Sequence, residues 1–157
     1  IATILDCLGQ GAHIVATDDL YGGTRRLFER VRKHSAGIEA TYVDLTDARA
    51  LEGAIRPNTR LIWIETPTNP LLKLIDLARV ADVARKRKIT TAADNTFASP
   101  YSQRPIEFGF DMVMHSTTKY LNGHSDMVGG ANDLNRLDFE ARRSRRTEPP
   151  PPPALSP

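Results

Sequence analysis

Short apolar segments alternate along this chain with longer segments that carry apolar residues at helical spacing. Five apolar segments are bounded by turn-forming or charged residues, and each is predicted to be a β-strand: 12–16, 38–43, 61–64, 89–93 and 112–114. The alternation of strands and helices predicts an α/β fold in which helices flank a mostly parallel sheet.

Three helices are predicted between the strands. Asp76 precedes the third helix as a candidate N-cap, and the basic run at 85–88 would complement the helix dipole at its other end. The apolar positions are Leu27, Phe28 and Val31 in the first helix, Leu51, Ala54 and Ile55 in the second, and Leu77, Val80, Ala81 and Ala84 in the third.

Composition limits the class of protein but does not indicate a reaction or a ligand. The 157 residues suit one domain, and 40% hydrophobic residues with a mean hydropathy of −0.37 are typical of a soluble globular protein. No apolar run is long enough for a membrane span, and a net charge of +2 is too small to favour nucleic acid. Cys7 is the only cysteine, which suits a reducing compartment. Because the chain begins with Ile1, we interpret it as lacking its true start.

Polar residues follow four of the predicted strands directly. They occupy 18–24 after the first strand, 65–70 after the third, 94–96 after the fourth and 115–125 after the fifth. Each segment alone is also typical of an ordinary turn. The carboxyl ends of parallel strands share one edge of a sheet, where ligands bind in open α/β folds. Together, the four segments predict an aromatic ring, an amide, a carboxylate and an amine at that edge.

Lys119 is the most reactive group among these candidates. Its amine can condense with a carbonyl, and the hydroxyls of Ser116 and Thr118 can donate hydrogen bonds to a phosphate. From these residues alone, a solvated surface turn is the more common explanation of a lysine among hydroxyls. An aldehyde cofactor with a phosphate, such as pyridoxal phosphate (PLP), would use this combination.

Three further residues suit the same cofactor. Asp94 could pair with the protonated ring nitrogen, because an opposite charge favours the protonated form. Tyr21 could stack on the ring, and Asn69 could donate to its phenolic oxygen.

The segments 19–24, 63–70, 94–97 and 115–126 closely resemble motifs of the cystathionine gamma-lyase and cystathionine gamma-synthase family, in the same order and spacing. The resemblance covers residues 1–130. It implies an incomplete large domain of the aspartate-aminotransferase-like fold (fold type I). It also implies a PLP-dependent carbon–sulfur lyase or gamma-synthase of trans-sulfuration, which eliminates or replaces the gamma substituent of cystathionine or a related small sulfur amino acid.

The resemblance also implies a role for each candidate residue. Lys119 resembles the Schiff-base lysine, Tyr21 a catalytic and ring-stacking residue, and Arg26 a substrate-binding arginine, with Arg25 beside it as the alternative. The cofactor contacts that the resemblance implies are Tyr21, Asn69, Asp94, Ser116, Thr118 and Lys119. The family further implies a cytoplasmic homo-oligomer, expected to be a tetramer, with no metal, nucleic-acid or membrane partner.

The resemblance to the family ends near Gly130, so the chain is predicted to consist of two segments. Residues 1–130 are predicted to form a partial PLP-binding domain, and 131–157 a divergent, disordered tail rich in arginine and proline. The tail leaves a polyproline ligand or a basic nucleic-acid arm open. The alternative function is a non-catalytic, truncated or frame-shifted fragment that lacks the C-terminal domain and the arginine that binds the substrate carboxylate.

Overall fold

A computed structural model describes residues 1–135 and shows one six-stranded sheet. The strand order is β2-β1-β3-β4-β5-β6; β1 to β5 run parallel, and β6 is antiparallel at the edge. The five predicted strands are confirmed, with ends shifted by at most two residues. The strands are β1 (His13–Thr17), β2 (Glu39–Val43), β3 (Thr59–Glu65), β4 (Thr90–Asp94), β5 (Met112–His115) and β6 (Ala131–Leu134).

Helices connect the parallel strands, as predicted. Asp76 is the N-cap of the longest helix, α5, because its carboxylate accepts a hydrogen bond from the backbone N–H of Arg79 at 3.0 Å. The helical segments are α1 (Ala2–Asp6), α2 (Gly22–Arg26), a π-helical segment (Leu27–Arg32), α3 (Lys33–Ala36), α4 (Ala48–Ala54), α5 (Leu77–Arg87), α6 (Ser99–Ser102) and a 3-10 turn (Pro105–Phe108).

Apolar side chains cover both faces of the sheet. On one face, Ile62 and Ile64 of β3 pack with the buried side of α5. On the other face, Trp63 packs with Phe28 and with residues of α1. Successive residues of a strand point to opposite faces, so one continuous apolar strand supplies both cores.

The first predicted helix differs from its expected apolar face. Phe28 is only 1% exposed and meets the ring of Trp63 edge-on, with 5.7 Å between the ring centroids. Val31, predicted on the same face, is 51% exposed. A π-helix has more residues per turn than an α-helix, so the position three residues after Phe28 rotates away from the sheet.

The strand order creates a topological switch between β1 and β3. The chain moves from β1 to β2 on one side and then returns past β1 to β3 on the other. Connections after β1 and β3 therefore leave in opposite directions, which opens a crevice at their carboxyl ends. The loops that carry Tyr21 and Asn69 begin at these two strand ends.

The sheet continues past the predicted boundary at Gly130. Ala131–Leu134 forms β6 and pairs with β5, with His115 opposite Ala131. The remainder of the predicted tail, 136–157, lies outside the described residues. Among residues 1–135, no helix has the length and apolar character required to cross a membrane.

The packing of Phe28 gives a direct test of this core. We expect Phe28→Ala to lower the free energy of unfolding by about 3–5 kcal/mol, because it leaves a cavity beside Trp63. Val31→Ala, in the same π-helical segment, is the matched control and should change it by less than about 0.5 kcal/mol. Urea unfolding followed by Trp63 fluorescence measures both values. Equal losses in the two variants would contradict the π-helical register.

Candidate functional site

Asp94 ends β4 at the polar edge of the sheet and is 6% exposed. Its Oδ1 accepts hydrogen bonds from the hydroxyl of Thr96 at 2.6 Å and from the backbone N–H of Thr96 at 3.1 Å. Burial raises the pKa of Asp94, and these two hydrogen bonds oppose the rise. Within the described part of the chain, no group donates a hydrogen bond to Oδ2 of Asp94. The buried carboxylate therefore keeps one oxygen for a cationic or hydrogen-bonding ligand.

Thr96 joins Asp94 to the segment that carries the lysine. Its hydroxyl donates to Asp94 and accepts a hydrogen bond from the backbone N–H of Ser116 at 2.8 Å. This relay fixes the carboxyl ends of β4 and β5 to one another. The side-chain hydroxyl of Ser116 has no hydrogen-bond partner in residues 1–135, so it is available to a ligand.

Lys119 lies in the turn that follows β5 and is exposed. Its backbone N–H donates to the carbonyl of Ser116 at 3.2 Å, and its carbonyl accepts from the N–H of Gly123 at 3.1 Å. The turn thus has a fixed backbone, whereas the amine of Lys119 pairs with no acceptor among the described residues.

An open depression of about 680 Å³ borders Lys119. Its other lining residues are Phe97, Thr118, Tyr120 and the segment 123–128, whereas Tyr21, Asn69 and Asp94 do not line it. The depression therefore lies beside the predicted constellation. We place the candidate site at the strand ends, because the buried carboxylate and its hydrogen-bond relay lie there.

Thr118 is more constrained than the sequence suggested. Its hydroxyl accepts a hydrogen bond from the backbone N–H of Gly129 at 3.0 Å and donates to the Gly129 carbonyl at 3.3 Å. A hydroxyl has one proton to donate, so Thr118 could bind a phosphate only by giving up its contact with that carbonyl. Its predicted phosphate contact stays a prediction, and Ser116 has the free hydroxyl.

Tyr21 is fixed by backbone contacts on both sides. As the N-cap of α2, it offers a carbonyl that accepts from the N–H groups of Thr24 at 2.9 Å and Arg25 at 3.2 Å. Its own N–H donates to Oε2 of Glu65 at 2.8 Å. The residue is 55% exposed, so part of the ring is available for stacking.

Gly23 leaves space for the Tyr21 ring. A Cβ atom added at Gly23 would overlap the ring edge, whereas a Cβ at the preceding Gly22 would meet nothing within 4 Å. Only one of these adjacent glycines is therefore required by the observed position of the ring.

Asn69 lies in the loop 66–75 between β3 and α5. Oδ2 of Asp19 accepts hydrogen bonds on both sides of Asn69, from the hydroxyl of Thr68 at 2.5 Å and the N–H of Leu71 at 2.9 Å. Asp19 therefore ties this loop to the end of β1. The side-chain amide of Asn69 has no partner in the part of the chain that the structure describes.

Lys73 connects the same loop to the ends of β1 and β2. Its amine contacts a carboxylate oxygen of Asp18 at 3.1 Å and one of Asp44 at 2.8 Å. Hydrogen bonding from Lys73, followed by that from Thr46, lowers the pKa of Asp44 to about 2. Lys73 is thus a structural cation that fixes the loop carrying Asn69.

The structure distinguishes the two candidate arginines. Arg25 stacks over the ring of Tyr42, 4.3 Å from the centroid, and its Nε donates to Glu29 at 2.9 Å. Arg26 is exposed, and its side chain contacts no acceptor among residues 1–135. This difference favours Arg26 as the guanidinium available to a ligand.

Glu65 belongs to this constellation but was not a predicted site residue. It ends β3, is 5% exposed, and lies opposite Asp94 in the parallel pairing of β3 with β4. Burial, with smaller contributions from the charges of Asp94 and Asp19, raises the pKa of Glu65 to about 8, although the hydrogen bond from Tyr21 opposes the rise. The sequence held a signal for Glu65, since a carboxylate ends an otherwise apolar strand.

The chemistry of these groups fits the cofactor suggested by the motifs. A buried carboxylate with one free oxygen suits a ring N–H, and the exposed amine suits an aldehyde. The free amide of Asn69, the free hydroxyl of Ser116 and the Tyr21 ring suit the remaining parts of the molecule. The engaged hydroxyl of Thr118 is the one group that fits poorly.

Comparison with known proteins agrees with this assignment. A family model described as Cys/Met metabolism PLP-dependent enzyme matches residues 1–146. The chain is 54% identical over 129 residues to a cystathionine beta-lyase of Coxiella burnetii (strain RSA 493 / Nine Mile phase I), covering 82% of this chain and 33% of that protein. It is 57% identical over 129 residues to a probable cystathionine gamma-synthase of Herpetosiphon aurantiacus, covering 82% and 40%.

Two further matches add a cystathionine gamma-lyase sequence and a solved structure to the comparison. A cystathionine gamma-lyase of Bacillus subtilis (strain 168) is 52% identical over 130 residues, covering 83% of this chain and 34% of that protein. The crystal structure of cystathionine gamma-lyase from Lactobacillus plantarum complexed with L-serine superposes with a TM-score of 0.85 at 43% identity, covering 90% and 37%. The chain therefore spans roughly a third of these relatives, and the predicted fold is confirmed over that portion.

Glu65 gives this site a testable dependence on pH. An acid whose pKa is raised by folding stabilises the folded state fully below its unfolded pKa of 4.5, and this contribution is lost as the pH rises through about 8. We therefore expect Glu65→Gln to gain stability over the parent chain by about 2 kcal/mol or more between pH 5 and pH 8.5.

Urea unfolding of both proteins at several pH values measures this difference. Glu52→Gln, in α4, is the matched control, because the side chain is exposed and solvated before and after unfolding. A difference between Glu65→Gln and the parent that stays constant with pH would contradict a protonated Glu65 in the folded chain.

Proposed function

Because the chain belongs to the Cys/Met metabolism PLP-dependent enzyme family, we propose that it binds pyridoxal phosphate at the carboxyl edge of its sheet through a covalent bond to Lys119. The observation that carries the proposal is Asp94, a buried carboxylate with one free oxygen, joined through Thr96 to the lysine-bearing turn. In this proposal Asp94 pairs with the protonated ring nitrogen, and Tyr21 stacks on the ring.

We assign most of the remaining cofactor and substrate contacts to side chains that have no hydrogen-bond partner within residues 1–135. Asn69 donates from its side-chain amide to the phenolic oxygen, and the hydroxyl of Ser116 donates to the phosphate. Thr118 contributes a second phosphate contact if it releases the carbonyl of Gly129. Arg26 offers its guanidinium to the substrate, since Arg25 is engaged by Tyr42 and Glu29.

When bound, pyridoxal phosphate supplies an aldehyde that joins covalently to amines and a ring that accepts electron density from a bond broken at the substrate's α-carbon. The charge of Asp94 keeps a proton on the ring nitrogen, which strengthens that electron acceptance. Lys119, once released by the incoming amino group, moves protons at its Nζ to and from the substrate carbons. Tyr21 holds the ring in place and assists deprotonation of the incoming amine.

We propose a small sulfur amino acid, cystathionine or a related compound, as the substrate of the whole protein. The relatives carry three reaction names, beta-lyase, gamma-synthase and gamma-lyase, at 52–57% identity to this chain. Proton removal at the α-carbon is common to elimination and replacement chemistry. Residues 1–135 hold the groups suited to that shared step. The cytoplasmic location and the homo-oligomer implied by the motifs stay predictions.

Cofactor binding is tested by mixing the purified chain with pyridoxal phosphate and then desalting it. We expect a visible absorbance band from the lysine-bound cofactor to survive desalting. After borohydride reduction, mass spectrometry should place one added pyridoxyl group on Lys119. Lys119→Ala should reduce the retained band to background, because the amine that forms the covalent bond is removed.

A matched lysine variant controls for nonspecific reaction with surface amines. Lys86→Ala changes an exposed lysine in the last turn of α5, which leads into the amino end of β4, and should retain the band. Pyridoxyl groups spread over several lysines, or equal retention in both variants, would contradict a specific site. The alternative of a fragment that holds no cofactor predicts that outcome.

The two glycines at the start of α2 test the stacking role of Tyr21. Gly23→Ala should displace the Tyr21 ring and weaken PLP binding by about fivefold, because ring stacking contributes about 1 kcal/mol. Gly22→Ala is the control, since its methyl group enters open space at a neighbouring position of the same helix. Equilibrium titration of the absorbance band gives both affinities. Equal affinities would contradict stacking by Tyr21.

A further inference from the structure

Glu65 and Tyr21 meet at the switch point between β1 and β3, where the side-chain carboxyl of one residue binds the backbone of the other. We propose that Glu65 is a positioning residue for the cofactor site: its carboxyl fixes the Tyr21 backbone and thereby sets the ring on the same side of the sheet as Asp94. The inference rests on the proposed function, because the ring's role is to face the cofactor held by Asp94.

The first support is the register of the sheet. Glu65 and Asp94 are direct partners in the parallel pair β3–β4, so their side chains lie on the same face of adjacent strands, whose backbones are about 4.8 Å apart. This is also the face of Trp63 and Met112, against which the helical segments after Tyr21 pack. The carboxyl of Glu65 therefore lies between the pyridinium-binding candidate and the start of α2.

The second support is the set of hydrogen bonds at Tyr21. Its carbonyl is used by the first turn of α2, and the carboxyl of Glu65 is the acceptor of its N–H. The side chain of Tyr21 makes no capping bond to the helix. Glu65 is consequently the link between this N-cap residue and the central strand of the sheet.

The third support concerns charge. The ionisable groups that act on Glu65 are Asp94 on β4 and Asp19 in the loop after β1, both of them acidic. Their charges, added to burial, favour the neutral acid at pH 7. A neutral Glu65 still accepts the Tyr21 N–H bond, so this contact does not require a charge on Glu65. Glutamine should therefore replace Glu65 well, and alanine should not.

Hydrogen exchange in the cofactor-free chain tests the contact directly. We expect Glu65→Ala to accelerate exchange of the Tyr21 amide on the order of tenfold, because the acceptor is lost, and Glu65→Gln to leave it within about twofold. The amide of Asn95, which donates to the carbonyl of Met114 between β4 and β5, is the internal reference for a general loss of stability. Acceleration of both amides in the same proportion would overturn the proposal.

Cofactor affinity then tests the positioning role. Glu65→Ala should bind PLP on the order of tenfold more weakly than the parent chain, and Glu65→Gln should restore affinity to within about twofold. Equal weakening in both variants, or none in either, would overturn positioning through this hydrogen bond. If the parent chain binds no PLP, the proposed function and the positioning role both fail. The exchange measurement would still decide the Glu65–Tyr21 contact itself.

Discussion

Parallel pairing of β1, β3, β4 and β5 is the constraint on which the candidate site depends. Parallel strands end at one edge, so residues far apart in sequence meet there. The register makes Glu65 and Asp94 neighbours, and it lets the end of β5 reach Thr96. A shift of one residue in β4 would turn Asp94 to the opposite face, away from Glu65.

Burial of carboxylates at this edge opposes folding, and the structure limits that cost by specific hydrogen bonds. Asp94 receives two hydrogen bonds from Thr96, which stabilise its charged form. Glu65 receives one from the backbone of Tyr21, and its raised pKa removes the charge near neutral pH. Burial therefore raises the pKa of both adjacent acids, and the hydrogen bonds from Thr96 favour the charged form of Asp94, which is the candidate partner of a cationic ring.

The sequence predicted most of the sheet and the identities of the candidate site residues, but not how they are connected. The strands could be predicted because short apolar runs bounded by turn residues are typical of buried β-strands. The exposure of Val31 was not predicted, because the spacing of Leu27, Phe28 and Val31 is also that of an α-helical face. Strand β6 was not predicted, because an exposed edge strand leaves no apolar periodicity to recognise. Glu65 was missed because its role depends on register, and the contact of the Thr118 hydroxyl with Gly129 was not predicted because Gly129 lies beyond the motif that contains Thr118.

The two candidate catalytic residues are held in different ways, and the difference matches their proposed tasks. Tyr21 uses its N–H and its carbonyl in three backbone hydrogen bonds, and its ring rests against a glycine that leaves it space. Lys119 has a fixed backbone, but its amine is exposed and lies at the end of a flexible four-carbon chain. A stacking surface must keep one orientation to hold a planar ring, because displacement loses the contact. An amine that moves protons between different atoms must reach more than one position. A tyrosine with a fixed backbone and a lysine whose amine is unpaired within residues 1–135 are suited to these two requirements.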